Sequence, residues 1–305
     1  MTDQVPDVVG VGILTLDQVG VGPRLRDPAL ALSTFSLQAG GPTGTTLATM
    51  ANLGAKARYF GRLGADEFGS ITLRHLGGFG VDTSLVLREP NRLSPSTFIM
   101  LEEETGRRYV RHTGSDVTPL CAADVPPTLF DGVRLAYFDG EMPAVQIPAA
   151  ARARARGARV LLGVRQAGPG LGELLDLADV VVVSERVAAE IAHSSDMERS
   201  LVELTKMGPD IAVITLGDEG AIALYEDKLV RQQAIDVNVV DVTGAGSVFR
   251  GAFGYALLQG WPLERALPFA TAAAGLSCAG LGAQGGIPTL AAVEAAMGGI
   301  GTVGH

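Results

Sequence analysis

Cysteine is nearly absent from this chain. Cys121 and Cys278 are too few for a disulfide framework or a thiolate zinc site, and neither lies in a nucleophile's sequence context. His75, His112 and His193 are isolated, with no metal-ligand spacing and no Ser-His-Asp arrangement around them. Basic residues are outnumbered 24 to 33 by acidic ones, and the formal charge of −9 argues against a dedicated nucleic-acid binder, which needs a basic face. Charged residues make up only 19% against 47% apolar, the balance of a well-packed globular protein and not of a disordered one. No uninterrupted apolar run approaches membrane-spanning length, and residues 1–7 carry acid where a signal peptide carries base. These absences leave small-molecule chemistry in the cytoplasm as the expectation.

At 305 residues the chain can bury one large core with a small addition to it. Short Val/Ile/Leu-rich runs at 8–14, 58–60, 135–138, 159–162, 180–183 and 211–216 read as buried parallel strands. Helical patterns fill 43–53, 66–79, 144–156, 185–193, 197–207, 244–259 and 263–279. This alternation predicts a three-layer α/β/α sandwich with a mostly parallel central sheet. Segments 15–38 and 83–114 break the pattern and predict a small β-sheet lid. The second of them reads as a hairpin, 97–101 and 107–112, closed by a turn containing Gly106. The core domain is then 1–14, 39–82 and 115–297, with the Gly-rich 298–305 as a frayed tail.

The most informative stretch runs from Asp241 through Thr243, Gly244, Ala245 and Gly246 to Ser247, then into an apolar helix. Small residues let backbone N–H groups approach a ligand, and the helix that follows presents its positive end to the same point. Such a cradle suits a transferring phosphate. Ser247 at its lip is a hydroxyl that takes up no proton at neutral pH.

Other glycine-rich pieces are weaker alone. Gly10 and Gly12 lack the third glycine of a dinucleotide fingerprint, since position 15 is Thr15, and residues 41–46 lack the lysine of a phosphate-binding P-loop. Gly40 and Gly41 lead into a helix whose first turn holds Thr45; they serve either a ligand's approach or a tight turn. Residues 61–69 read as a strand exit with Asp66 as helix N-cap. Thr215, Gly217 and Gly220 end one strand and start a hairpin, admitting a nucleotide or merely turning the chain. Arg107, Arg108 and Arg111 read as surface charge paired with Glu102, Glu103 and Glu104, or as a grip on an acidic substrate; Arg250 beside the cradle could hold phosphate.

The order of these pieces, over nearly the whole chain, resembles the ribokinase/PfkB family of carbohydrate kinases. The resemblance implies the sandwich with its lid, ATP and Mg2+ as cosubstrates, and phosphorylation of a sugar or related alcohol. It places Asp17, Gly40, Gly41 and Thr45 at the sugar, and Gly244, Ala245 and Gly246 as the anion hole. Thr215, Gly217, Gly220, Ala274 and Ser277 fall at the nucleotide, and Asp241 and Thr243 at a monovalent cation such as K+. A homodimer through the lid is implied as well.

The chain departs from the family pattern on the chemistry. Ser247 stands at the position of the general-base aspartate, Thr45 replaces a sugar-binding asparagine, and the N-x-x-E element reads Ser184, Glu185, Arg186, Val187. Around Gly163 and Arg165 the usual aspartate and asparagine are missing too. Two readings follow: a kinase with impaired or unusual catalysis, or an inactive relative that binds a nucleotide, sugar or phosphorylated ligand as a sensor or partner.

Overall fold

The computed structural model describes residues 5–24 and 31–298. In chain order, β1 (Val8–Val11) leads to β2 (Thr15–Gly22), β3 (Thr34–Gly40), helix α1 (Pro42–Asn52), β4 (Ala57–Phe60), β5 (Arg62–Gly64) and α2 (Glu67–Gly78). Next come β6 (Leu87–Glu89), β7 (Ser96–Glu102), β8 (Arg108–Thr113), β9 (Leu135–Phe138), α3 (Pro143–Ala155), β10 (Arg159–Val164), α4 (Leu171–Leu177) and β11 (Val180–Ser184). The remainder holds α5 (Glu185–Ala192), α6 (Met197–Lys206), β12 (Ile211–Thr215), β13 (Ala221–Tyr225), β14 (Lys228–Gln232), α7 (Ala245–Leu258), α8 (Leu263–Ser277), α9 (Gly282–Gly285) and α10 (Leu290–Gly298).

The main sheet has the order β14-β13-β12-β11-β10-β9-β1-β4. From β12 to β4 its strands run parallel, and β13 and β14 add an antiparallel hairpin at one edge. Successive side chains alternate between two cores: Leu135 and Tyr137 pack on the side of α1, α7 and α8, whereas Ala136 and Phe138 pack on the side of α3 to α6. A strand covered on both faces must be apolar at every position, which is why β11 begins with four valines. The scarce aromatic residues gather where α7 meets α8. There Trp261 and Phe269 meet edge to face at 5.1 Å between ring centroids, with Tyr255 at 6.0 Å from Trp261.

A second sheet, ordered β3-β2-β7-β8, is the lid expected from the broken alternation. Its register aligns Asp17 with Thr97 and Thr97 with His112, so these three share one face. Phe35 and Phe98 on the other face are exposed. The lid sheet is narrower than segment 83–114, because β6 pairs instead with β5, where Arg88 donates to the Gly64 carbonyl at 2.9 Å. Residues 25–30 of the first lid segment and 299–305 of the expected tail lie outside the described residues. Among the described residues no helix is long and apolar enough to cross a membrane.

Candidate active site

The carboxyl ends of the parallel strands and the starts of α1 and α7 converge beneath the lid, at the sheet edge where open α/β folds hold ligands. Two cavities meet there. One, of about 510 Å³, has Asp17, Gly41, Thr45, Thr243, Gly244 and Ser247 on its wall. The other, of about 600 Å³, is bordered by Thr215, Gly217, Gly220, Ala245 and Ala274. Gly246 belongs to both, so the cradle is the partition between them.

Gly244 adopts φ 85°, a left-handed conformation that favours glycine, and a Cβ there would lie 2.7 Å from the Ala283 backbone. At Gly246 a Cβ would meet nothing within 4 Å, so that residue's bareness serves the space beside it and not packing. No side chain caps α7, whose first turn therefore turns backbone donors and the positive helix end toward the partition. Asp241 fixes the loop: its carboxylate accepts from Thr243 N (2.9 Å), Thr243 Oγ1 (2.7 Å) and Gly282 N (2.9 Å).

Arg108 reaches this loop from lid strand β8, donating to Thr243 Oγ1 at 2.7 Å with its guanidinium 3.9 Å from Asp241. Of the three acids expected to pair with the lid arginines, Glu104 pairs with Arg24 and Glu103 accepts from Ser33. A monovalent cation at Asp241 and Thr243 does not fit the side chains as they stand. Arg108 already brings positive charge to that point, and two like charges so close repel.

On the lid side, Asp17 is buried and accepts from Thr15 Oγ1 at 2.7 Å. Burial pushes its pKa up from the ordinary carboxylate value, with hydrogen bonds from Thr15 and Thr97 working against that rise. Gly41 stands on the cavity wall at φ 78°. Gly40 stands behind it, where a Cβ would fall 1.9 Å from the Asp17 carboxylate; this glycine makes room for Asp17. Thr45 lies in the first turn of α1 with a buried hydroxyl that has no partner.

The other cavity is mostly apolar. Val239 and Val242, 57% and 54% exposed, lie on its wall with Phe249 and Ala274. Glycine is needed at Gly220, where a Cβ would meet the Gln232 carbonyl oxygen at 2.0 Å. Ser277 is not on the wall: its hydroxyl donates to the Ala274 carbonyl at 2.7 Å inside α8.

Several wall residues had no role assigned from sequence. His112, Arg165 and Arg186 all line the first cavity, although only the alternation of Arg108, Val110 and His112 along a strand hinted at a shared face. Ser184 is on that wall as well, while Val187, at the last position of the altered N-x-x-E element, is fully buried in the core. Among the described residues lining this cavity, Asp17 is the only carboxylate. No cluster of three or more metal-ligating side chains occurs among the described residues.

Residues 5–290 match the profile of the pfkB family carbohydrate kinases. The chain belongs to that family. It is similar to the ribokinase of Bacillus subtilis, 29% identical over 274 residues that cover 89% of this chain and 92% of the relative. Among solved structures it resembles the ribokinase of Arabidopsis thaliana complexed with ribose and ATP, with a TM-score of 0.83, 25% identity, and 96% and 99% of the two chains covered. An E. coli structure in complex with ATP and Mg2+ matches at a TM-score of 0.85 over 96% and 99% of the chains, and at 20% identity that likeness concerns the fold. The ribokinase-like α/β architecture with its smaller sheet is therefore shared with these proteins.

Proposed function

We propose that this chain is an ATP-dependent phosphotransferase of the sugar-kinase type, moving the γ-phosphate to a hydroxyl of a small carbohydrate or related alcohol. The observation that carries this reading is the shared glycine: one bare, helix-capping turn separates a polar cavity under a lid from an apolar cavity lined by valines. Purine rings suit apolar walls, and sugar hydroxyls suit Asp17 and Thr45.

In the reaction, an acceptor hydroxyl held by Asp17 attacks the γ-phosphorus, the bond to the β,γ-bridging oxygen breaks, and ADP leaves. Donors around Gly244, Ala245 and Gly246 stabilise the charge on the transferring group. The hydroxyl proton passes to solvent or to the phosphate oxygens, because Ser247 offers no carboxylate. Mg2+ brought with the nucleotide would neutralise phosphate charge; no cluster of three or more metal-ligating side chains among the described residues would hold it by itself. Loss of a general base lowers the rate by about 10²–10⁴. The lid comprises the sheet of β2, β3, β7 and β8, and its exposed Phe35 and Phe98 are suited to a second copy of the chain.

The same wall supports a second reading, a retired enzyme that binds nucleotide or sugar as a sensor, since Asp17 is the only carboxylate among the described residues that line it. ADP release measured over sugars, sugar acids and nucleosides, with the native chain and with Ser247→Asp, decides between them. Turnover by the native chain excludes the sensor. Silence from both proteins, with ligand-induced thermal stabilisation, excludes the kinase.

A further inference from the structure

A buried cation with no counter-ion among the described residues lies against the lid-side cavity. Arg250, three residues after Ser247 on α7, is only 6% exposed and lines that cavity. Its Nη2 donates to the Val164 carbonyl at 3.1 Å, and its Nε has no partner. The chain makes space for it: a Cβ on Gly163 would fall 2.5 Å from Arg250 Cδ. None of the carboxylates among the described residues forms an ion pair with it. Asp139 and Glu141 act on it from a distance, but Asp139 is engaged by Ile13 N, Thr43 Oγ1, Glu141 N and Gln146 Nε2, and Glu141 accepts from Gln166 Nε2. Burial pushes the Arg250 guanidinium below its ordinary pKa, with Tyr137, Asp139 and Glu141 working against that fall and Arg165 adding to it.

A guanidinium so placed costs stability unless an anion completes it. The wall around it is biased the same way, with Arg108, Arg165 and Arg186 against Asp17, the one carboxylate among the described residues lining it. Arg186 is committed elsewhere, donating to the Arg165 carbonyl at 2.9 Å and facing Glu190 at 3.5 Å; Arg165 is exposed at the wall. We infer that the acceptor carries an anionic group, a phosphate monoester or a carboxylate, that seats on Arg250 and Arg165 while Asp17 and Thr45 take its hydroxyls. This rests on the kinase reading of the site. The planar guanidinium matches either oxyanion with paired donors, and a neutral sugar leaves it unsatisfied. The γ-phosphate of the nucleotide is a second possible source of that anion, but Arg250 is on the wall of the lid-side cavity and not on that of the other.

Isothermal titration and thermal shift without nucleotide test the inference, using ribose 5-phosphate and gluconate beside ribose and glucose. The anionic compounds are expected to bind at least about tenfold tighter than their neutral counterparts, the difference of roughly one charge-assisted contact. Arg250→Gln is expected to erase that preference while ATP affinity changes by less than about twofold. Should that variant not fold, Arg165→Gln at the exposed wall is expected to weaken the anionic compounds by about three- to tenfold. Neutral sugars binding as tightly as the anionic ones overturn the inference. So does an Arg250→Gln protein that loses ATP and keeps the anionic preference, which assigns the arginine to the nucleotide. ADP release on the same panel keeps the two proposals apart: turnover of neutral sugars alone sinks the anionic acceptor and leaves the kinase standing. Anion-selective binding without ADP release from any compound, by the native chain or by Ser247→Asp, leaves the anion site standing and sinks the kinase.

Discussion

The two cavities on either side of Gly246 differ in what they are made of. The one beside β12 and α8 is built from main-chain turns and small apolar residues, with Gly217, Gly220 and Ala274 where the family resemblance puts a nucleotide. Beneath the lid, the other carries charged side chains, with Thr45, Ser184 and Ser247 on its wall where the family resemblance would put two asparagines and a general-base aspartate. A cofactor common to many enzymes needs a generic apolar slot, whereas an acceptor and its deprotonation need particular side chains. The cradle that both cavities share sets the boundary between the two within a single turn.

The comparison breaks most sharply at Ser247. If only the base is missing, Ser247→Asp raises kcat for the best acceptor by about 10²–10⁴ and leaves the KM for ATP unchanged, as steady-state ADP release will report. Damage to the partition is expected to reach both sides. Gly244→Ala forces a side chain into φ 85° and against the Ala283 backbone, for a stability loss of about 1–3 kcal/mol by denaturant titration and a fall of about 10²-fold in any transfer rate.

Asp17→Asn separates binding from stability. Sugar affinity by calorimetry should drop about 10- to 100-fold through loss of a charge-assisted acceptor. Because the folded-state pKa of Asp17 is raised, ionising it costs the native fold. That cost is present in full above the raised value and is gone once the pH falls below the ordinary carboxylate value of 3.8. The Asn variant is therefore expected to melt higher than the native chain at neutral pH, with the gain shrinking on acidification. Val242→Ser, on the wall of the apolar cavity, is the mildest change: about 1 kcal/mol, or roughly fivefold, in ATP affinity with no effect on acceptor binding.

Much of the sandwich was legible because the signals are local. Four consecutive valines in β11, the amphipathic α6 and the Asp66 cap of α2 each follow from residues near them in sequence, and Asp66 Oδ1 does accept from Gly69 N at 2.8 Å. The glycine turn ahead of α7 was legible for the same reason. Partnerships across the fold were not: Arg108 reads as one more lid arginine until β8 lays it on Thr243, 135 positions away. Gly40 looked like a wall residue, but its neighbour across the β2–β3 ladder is what requires it, and Ser277 looked like a nucleotide contact although its hydroxyl is spent within its own helix. The short β5–β6 pair also escaped notice, since three-residue strands carry too little periodicity to be read.

Side-chain pattern and turn chemistry alone sufficed for the α/β layering, the smaller sheet and the glycine turn ahead of α7, because hydrophobic period and backbone freedom act over a few residues. Folding alone decided that the cradle divides two cavities, that Arg108 closes onto its loop, and that Arg250 is buried with no counter-ion among the described residues. Those facts depend on how distant segments pack and on which charges lose their water together, and neither is written in any stretch of chain taken by itself.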